Sequence, residues 1–260
     1  MLLTIDIGNT NITLGAFDSD NLVFVSRLAT DKSRTDDQYA LELKSILELY
    51  NANASDFNGC AISSVVPELT STVANAVSKI TGAVPLILGP GVKTGINILA
   101  DDPSQAGADL VAASVAASNL YPLPCFVIDL GTATKINVID ENGSFCGCII
   151  APGVGISLEA LSSRTSQLPS ISLTTPKKAI GTNTIDCMQS GVVFGTAAML
   201  DGLCDRMENE LNRKVQSFVA TGGLSREIIK SCNHEITHDA ELILKGLKII
   251  YEKNRKSAKS

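Results

Sequence analysis

The sequence predicts an α/β protein built from two similar halves. Strand-like runs alternate with amphipathic helix patterns along the whole chain, which indicates sheets covered by helices. The segment Asp6-Ile7-Gly8-Asn9-Thr10 has a second copy at Asp129-Leu130-Gly131-Thr132-Ala133-Thr134. Each copy lies between two strand-like runs. Because repeat arrays have periods of about 20–50 residues, this single distant copy indicates a duplicated domain.

The first half opens with a meander and continues with alternating helices and strands. Its strand-like runs cover 2–7, 11–17, 22–28, 60–65 and 84–88. Its helix patterns cover 36–50, 67–80 and 107–120. Thr35 is a suitable N-cap for the first helix, and Pro67 suits the first turn of the second. We expect this N-terminal domain to span 1–116.

The second half repeats the meander and is expected to span 117–260. Its strand-like runs cover 125–130, 135–139, 145–150 and 215–221. A loop is predicted over 162–175, and helices over 183–211 and 241–253, with a polar tail after them. Asn183-Thr184-Ile185-Asp186 is suited to cap the long helix.

Composition limits the possible functions. The chain has 260 residues, 45% hydrophobic and 18% charged, enough to fill cores, and its net charge of −6 gives no support to a nucleic-acid or membrane-surface role. No apolar run reaches the roughly 20 residues needed to cross a bilayer. The seven cysteines are an odd number, and no signal segment opens the chain. We therefore expect a cytoplasmic protein with free thiols.

The repeated turn has the chemistry of a phosphate site. A glycine lets the backbone approach a phosphate closely, its neighbours supply N–H and O–H donors, and the acid can face a cation. One copy alone would be read as an ordinary turn. Two copies in matching context favour two halves that bind one nucleotide in the cleft between them.

Three other motifs have simpler explanations. Gly89–Gly95 lacks the glycine before Lys93 and the following helix that a P-loop needs, so it reads as a connecting loop. Cys146-Gly147-Cys148 lies in a strand-like run and favours buried packing over a metal or redox pair. Cys232, His234 and His238 have ligand-like spacing but fall in an expected loop, without a second cysteine pair.

A longer series of motifs resembles the type III pantothenate kinases, within the acetate and sugar kinase, Hsp70 and actin superfamily. Beyond the two turns, the series comprises Ser63–Pro67, Gly91–Gly95, Gly107-Ala108-Asp109, Pro152-Gly153-Val154, Thr165–Pro169, Asn183-Thr184, Gln189-Ser190-Gly191 and Thr221–Leu224. The resemblance implies two ribonuclease H-like (actin-like) domains, each a mixed sheet with flanking helices.

The resemblance also implies ATP-dependent phosphorylation of pantothenate, the first step toward coenzyme A, by a homodimer. The implied cofactors are ATP, Mg²⁺ and a monovalent cation, K⁺ or NH₄⁺. The implied nucleotide contacts are Asp6, Ile7, Gly8, Asn9, Thr10, Asn11, Ile12, Thr13, Gly131 and Thr132. Asp129 would hold the monovalent cation, and Asp6 suits hydrated Mg²⁺ on the nucleotide.

The implied acceptor site centres on Asp109 as general base. Its substrate contacts would be Ala100, Gly107, Ala108, Asp109, Leu110 and, from the partner subunit, Thr184. Without the other motifs of the series, Asp109 would be read as a helix N-terminal acid favoured by the helix dipole. As a base it would take the proton of a primary alcohol during attack on the γ-phosphate.

Three residues depart from the family pattern, all on the acceptor side. Leu110 stands where arginine is usual, Ala100 where tyrosine is usual, and Lys135 where threonine or an apolar residue is usual. Arginine would pair bidentately with a carboxylate substrate, and leucine cannot. Two alternatives therefore stay open: a catalytically weak or inactive paralogue that regulates by binding nucleotide or metabolite, and a kinase for another small hydroxylated acceptor.

Overall fold

The computed structural model describes residues 1–257. By internal contacts it divides into two compact units: the first comprises 1–96, 100–116 and the C-terminal helix, and the second comprises 97–99 and 117–241. This differs from the expected domains 1–116 and 117–260, because the last helix belongs to the first unit. The end of the expected polar tail lies outside the described residues.

The first unit contains a five-stranded sheet in the order β3-β2-β1-β4-β5. Its strands are β1 Leu2–Ile7, β2 Asn11–Asp18, β3 Asn21–Ala29, β4 Gly59–Ser64 and β5 Leu86–Ile87. Its helices are α1 Asp36–Leu49, α2 Pro67–Thr81 and the start of α3 Ala108–Leu120. The predicted elements are confirmed, although the run at 84–88 forms only a two-residue strand.

The second unit has the same topology. Its sheet follows the order β8-β7-β6-β9-β10, with an antiparallel meander joined to two parallel strands. The strands are β6 Cys125–Leu130, β7 Ala133–Ile139, β8 Phe145–Pro152, β9 Ser217–Thr221 and β10 Ile236–His238. The helices are α4 Val154–Arg164, α5 Thr184–Leu211 and α6 Ser225–Ile228; the last helix of the chain is α7 Leu242–Ser257.

Packing in the first unit follows the strand alternation. Leu3 and Ile5 of β1 share a core with residues of α1 and α2, so these helices cover one face of the sheet. Helix α7 covers the other face: a Cβ added to Gly15 would lie 2.9 Å from Leu244 Cδ1 and 3.0 Å from Thr4 Oγ1. The Tyr251 ring of α7 fills the space beside Gly59, so a side chain at this position would have to displace that ring.

Two expected helix caps are confirmed. Thr35 accepts a hydrogen bond from the Gln38 backbone N–H, and the Gln38 side chain accepts one from the Thr35 N–H, which completes a capping box. The Asn183 side chain accepts from the Asp186 N–H at 3.0 Å. Both caps satisfy donors that would otherwise be left open at a helix start.

Candidate functional site

The first turn is held closed by backbone contacts. The Gly8 N–H donates to the Asn11 carbonyl at 3.0 Å. Thr30, just after β3, secures the turn from the side: its hydroxyl donates to the Gly8 carbonyl at 2.6 Å, and its N–H donates to the Thr10 carbonyl at 3.0 Å. The turn is therefore fixed in shape before any ligand binds.

The side chains of this turn divide into exposed and buried groups. Asn9, Thr10 and Asn11 are exposed, so a ligand can reach this part of the turn. Ile7 and Ile12 were expected nucleotide contacts, but both side chains are buried in the core. Because these side chains are buried, the two residues can contribute only backbone groups to a nucleotide.

Asp6 stands beside hydroxyl groups on both neighbouring strands. Its strand partners are Thr13 on β2 and Ser63 on β4. Among the described residues, the Ser63 hydroxyl is buried and has no hydrogen-bond partner. A carboxylate surrounded by hydroxyls is an oxygen-rich donor set, which suits Mg²⁺ held through water on a nucleotide phosphate.

The second turn occupies the same position in the second sheet. Asp129 of β6 pairs with Lys135 on β7 and with Thr221 on β9. The Lys135 Nζ lies 2.7 Å from Asp129 Oδ2, and only 15% and 14% of the two side chains is exposed. Thr132 is exposed at the tip of the turn. Lys135 was expected on the acceptor side, but the structure places it at this turn, so the Asp129 carboxylate already has a cation beside it.

Two distant glycines pack against this second turn. A Cβ added to Gly153 would lie 2.1 Å from the Thr132 carbonyl oxygen and 2.7 Å from that of Gly131. Gly222, with φ +95°, lies so that a Cβ would be 2.5 Å from the Leu130 carbonyl carbon. The Pro152-Gly153 and Thr221-Gly222 motifs therefore support the phosphate-type turn, a role that the sequence analysis did not assign to them.

Four of the acceptor-side residues, Gly107 to Leu110, lie together at the start of α3. A Cβ added to Gly107 would be 2.7 Å from Asp109 Oδ1, and the same oxygen accepts from the Leu110 N–H at 2.8 Å. Gly107, Ala108, Asp109 and Ala100 are half-buried. Leu110 was expected to contact substrate, but its side chain is buried at 8% exposure. An acceptor can meet this residue mainly through its backbone.

The second unit contains an open groove of about 1250 Å³. It is lined by α4, α5 and the segment before α5, including Thr184 and Arg164. Helix α4 was not predicted, and its last residues overlap the loop that was expected over 162–175. The signal was present, since Val154 and Leu158 follow Gly153 at helical spacing. Thr184 is exposed at the first turn of α5 and faces this groove.

The other candidate ligands have ordinary contacts. His234 stacks obliquely against Phe218 with ring centroids 4.5 Å apart, and its Nε2 lies 3.1 Å from Asp205 Oδ1. His238 belongs to β10, which corrects the expected loop. Cys148 is exposed, so buried packing is wrong for this residue. No group of three or more potential metal ligands occurs within residues 1–257.

Comparison with solved structures agrees with the two-domain fold. An activator of 2-hydroxyisocaproyl-CoA dehydratase from Clostridium difficile, with bound ADPNP, matches with a TM-score of 0.58, 12% identity and coverage of 100% of this chain and 97% of that one. A ROK hexokinase from Thermus thermophilus matches with a TM-score of 0.53, 13% identity and coverage of 98% and 99%. The fold is thus that of the actin-like kinases and ATPases, with two ribonuclease H-like domains.

Comparison with sequences identifies the family within that class. The family model described as type III pantothenate kinase matches residues 2–206. Type III pantothenate kinases from Halalkalibacterium halodurans and Moorella thermoacetica are 42% and 41% identical over 254 residues, which is 98% of this chain and 100% of each relative. The chain belongs to the type III pantothenate kinase family. No helix within residues 1–257 combines the length and apolar character of a membrane span.

Proposed function

We propose that the protein catalyses the ATP-dependent phosphorylation of pantothenate to 4′-phosphopantothenate, in the cytoplasm, as the first step of coenzyme A synthesis. The observation that carries the proposal is the similarity of nearly the whole chain to type III pantothenate kinases. The two matching turns support it, because phosphoryl transfer depends mainly on positioning and charge stabilisation.

The residues divide into a nucleotide group and an acceptor group. The Asp6–Thr13 turn and the Gly131-Thr132 turn would hold the ATP phosphates, and Asp6 would hold the Mg²⁺ of the nucleotide. Bound Mg²⁺ supplies charge neutralisation on the phosphates. Asp109 accepts the hydroxyl proton of the acceptor. Asp109 is a half-buried residue in the first turn of α3, where a negative charge is favoured.

A coupled ADP-release assay with pantothenate, ATP and Mg²⁺ tests the reaction, with mass spectrometry of the product. Asp109→Asn should lower kcat about a hundredfold or more, as expected for loss of a general base. Glu68→Gln is the matched control, because Glu68 is also an acid in the first turn of a helix of the first unit. Equal activity of both variants would mean that Asp109 is only a helix N-terminal acid.

Leu110 favours a second candidate function. Its buried side chain gives a carboxylate substrate no charged partner at the position where the family usually has arginine. A related alcohol without a carboxylate is then the acceptor, or the protein binds ATP and regulates without turnover. The same assay across a panel of alcohols, beside a thermal-shift titration with ATP, separates these outcomes. If ADP forms only with another alcohol, that alcohol is the acceptor in place of pantothenate. If ATP stabilises the protein and no acceptor gives turnover, the protein is a nucleotide-binding regulator.

The homodimer is part of the same proposal, with the face of α4 and α5 as its interface. Several large apolar side chains are exposed on or beside these helices: Ile150, Ile156, Leu161, Ile180 and Ile185. Burying such side chains against a second copy is favourable by about 25 cal/mol per Å². Thr184 lies in the same face, which suits a substrate contact made across the interface.

Light scattering coupled to size-exclusion chromatography tests this interface. The paired change Ile180→Lys with Ile185→Lys should yield a monomer. Val84→Lys is the control, because Val84 is 86% exposed but lies in the first unit. A wild-type monomer, or a paired variant that stays dimeric, would contradict the assignment.

A further inference from the structure

We propose that the ammonium group of Lys135 takes the place of the monovalent cation expected at Asp129, so that this kinase needs no K⁺ or NH₄⁺. The inference deepens the proposed function and rests on Asp129 belonging to its nucleotide site. The ion expected there is K⁺ or NH₄⁺, and the end of a lysine side chain is itself an alkylated ammonium ion.

The first argument is the contact itself. Lys135 Nζ lies 2.7 Å from Asp129 Oδ2, the distance of a charge-assisted hydrogen bond. The strand register holds the two residues together, since Asp129 and Lys135 are direct partners in the antiparallel pair β6–β7. Directly opposed residues project from the same face of a sheet with closely spaced Cβ atoms. The pair is therefore built into the sheet.

The charges of Asp129 and Lys135 balance each other in a place that water reaches poorly. Each of the two side chains is about one-seventh exposed, so water screens their charges weakly. The Asp129 carboxylate carries one negative charge, and the ammonium of Lys135 balances it. A K⁺ ion on the same carboxylate would lie beside a second positive charge in a poorly solvated place. The residues at Asp129 thus do not fit a free monovalent cation.

The third argument is the comparison of the two halves. In the first sheet the partner of Asp6 across the meander is Thr13, an uncharged residue. In the second sheet the partner of Asp129 at the corresponding place is Lys135. The fold accommodates threonine at this register, so Lys135→Thr removes the charge and recreates a pairing that the chain already uses.

The experiment measures turnover and the affinity for a non-hydrolysable ATP analogue in chloride salts of K⁺, NH₄⁺, Na⁺ and tetramethylammonium at matched ionic strength. The wild type should show equal values in all four salts. Lys135→Thr should lose affinity in tetramethylammonium and regain it in K⁺ or NH₄⁺, by about tenfold, the size of one charge-assisted contact. Lys230→Thr is the control, because Lys230 forms an exposed ion pair with Glu227 at 2.9 Å in the same unit.

Three results would overturn the inference. One is a wild type whose nucleotide affinity rises about tenfold from tetramethylammonium to K⁺. Another is a folded Lys135→Thr variant that responds to no cation. If that variant does not fold, Lys135→Met keeps the aliphatic stem without the charge, and its indifference to K⁺ would count equally. The affinity measurement needs no turnover, so failure of pantothenate phosphorylation is distinguishable from failure of this inference.

Discussion

Replacing Gly153 by alanine tests whether close packing of Gly153 against the second phosphate-type turn fixes the position of that turn. The backbone of Gly153 has φ −69° and ψ 156°, which any residue adopts, so alanine brings no dihedral strain. The problem is contact: the new Cβ would lie 2.1 Å from the Thr132 carbonyl oxygen and 2.7 Å from the Gly131 carbonyl oxygen. Both are backbone atoms of the turn, so they cannot move aside by changing a rotamer.

The expected cost follows from that overlap. Non-bonded atoms pack best at about 3.5–4.0 Å, so the turn or the start of α4 must shift by more than about 1 Å. Overpacking of this kind costs about 1–3 kcal/mol, and alanine is a poorer N-cap than glycine by about 0.5–1 kcal/mol. The sum of about 1.5–4 kcal/mol corresponds to a fall in Tm of roughly 3–16 °C.

Gly155→Ala is the matched control. Gly155 lies two residues further on, inside α4, and a Cβ there would meet no atom within 4 Å. Alanine should therefore stabilise this helix by about 0.5–1 kcal/mol. The assays are calorimetric Tm and the affinity for an ATP analogue. Gly153→Ala should weaken that affinity, because Thr132 moves with the turn. A Gly153→Ala protein as stable as Gly155→Ala, with unchanged affinity, would refute the reasoning.

Two further predictions concern thiols and alkaline pH. Burial raises the pKa of Cys125 to about 11 and of Cys204 to about 12. Titration with an aromatic disulfide at pH 8 should therefore modify the exposed Cys148 and Cys187 first, and Cys125 and Cys204 only on unfolding. Early reaction of Cys204 would contradict this. Burial alone would lower the pKa of Lys248, but hydrogen bonds to Asp20 and Glu252 raise it above the unfolded value. That stabilisation is complete below the unfolded pKa of about 10.4 and is lost as pH rises through the folded pKa. Lys248→Met should thus cost about 1 kcal/mol in urea unfolding at pH 8 and less at pH 11, and a constant difference would exclude the ion pair as the cause.

The meanders could be predicted from the sequence because their signals are local. Ile12 and Leu14 alternate with polar or small residues, and the Asp-Gly turns mark where each first strand ends. Thr35 and Asn183 likewise identified the starts of their helices. Helix α7 was predicted as an element, but its partner was not. An amphipathic helix shows that one face is buried without showing which sheet covers it.

The candidate site could likewise be predicted only in part. The two turns and Asp109 follow from motifs in the chain. The support given by Gly153 and Gly222 could not be predicted, because it depends on packing between segments far apart in sequence. The contact between Lys135 and Asp129 could have been predicted from the sequence. A short turn at Gly131-Thr132 fixes the register of an antiparallel pair, and that register sets Lys135 opposite Asp129.

The duplicated fold makes the difference between its two acids interpretable. Asp6 and Asp129 occupy the same position in sheets of the same strand order, although the turn after β6 is one residue shorter than the turn after β1. The residues opposite them differ: Thr13 presents a hydroxyl group to Asp6, whereas the ammonium group of Lys135 lies 2.7 Å from Asp129 Oδ2. An uncharged partner beside Asp6 is compatible with the Mg²⁺ proposed there, and the ion pair at Asp129 balances one charge with another. We therefore propose that positive charge is supplied by Mg²⁺ at the first turn and by the Lys135 side chain at the second.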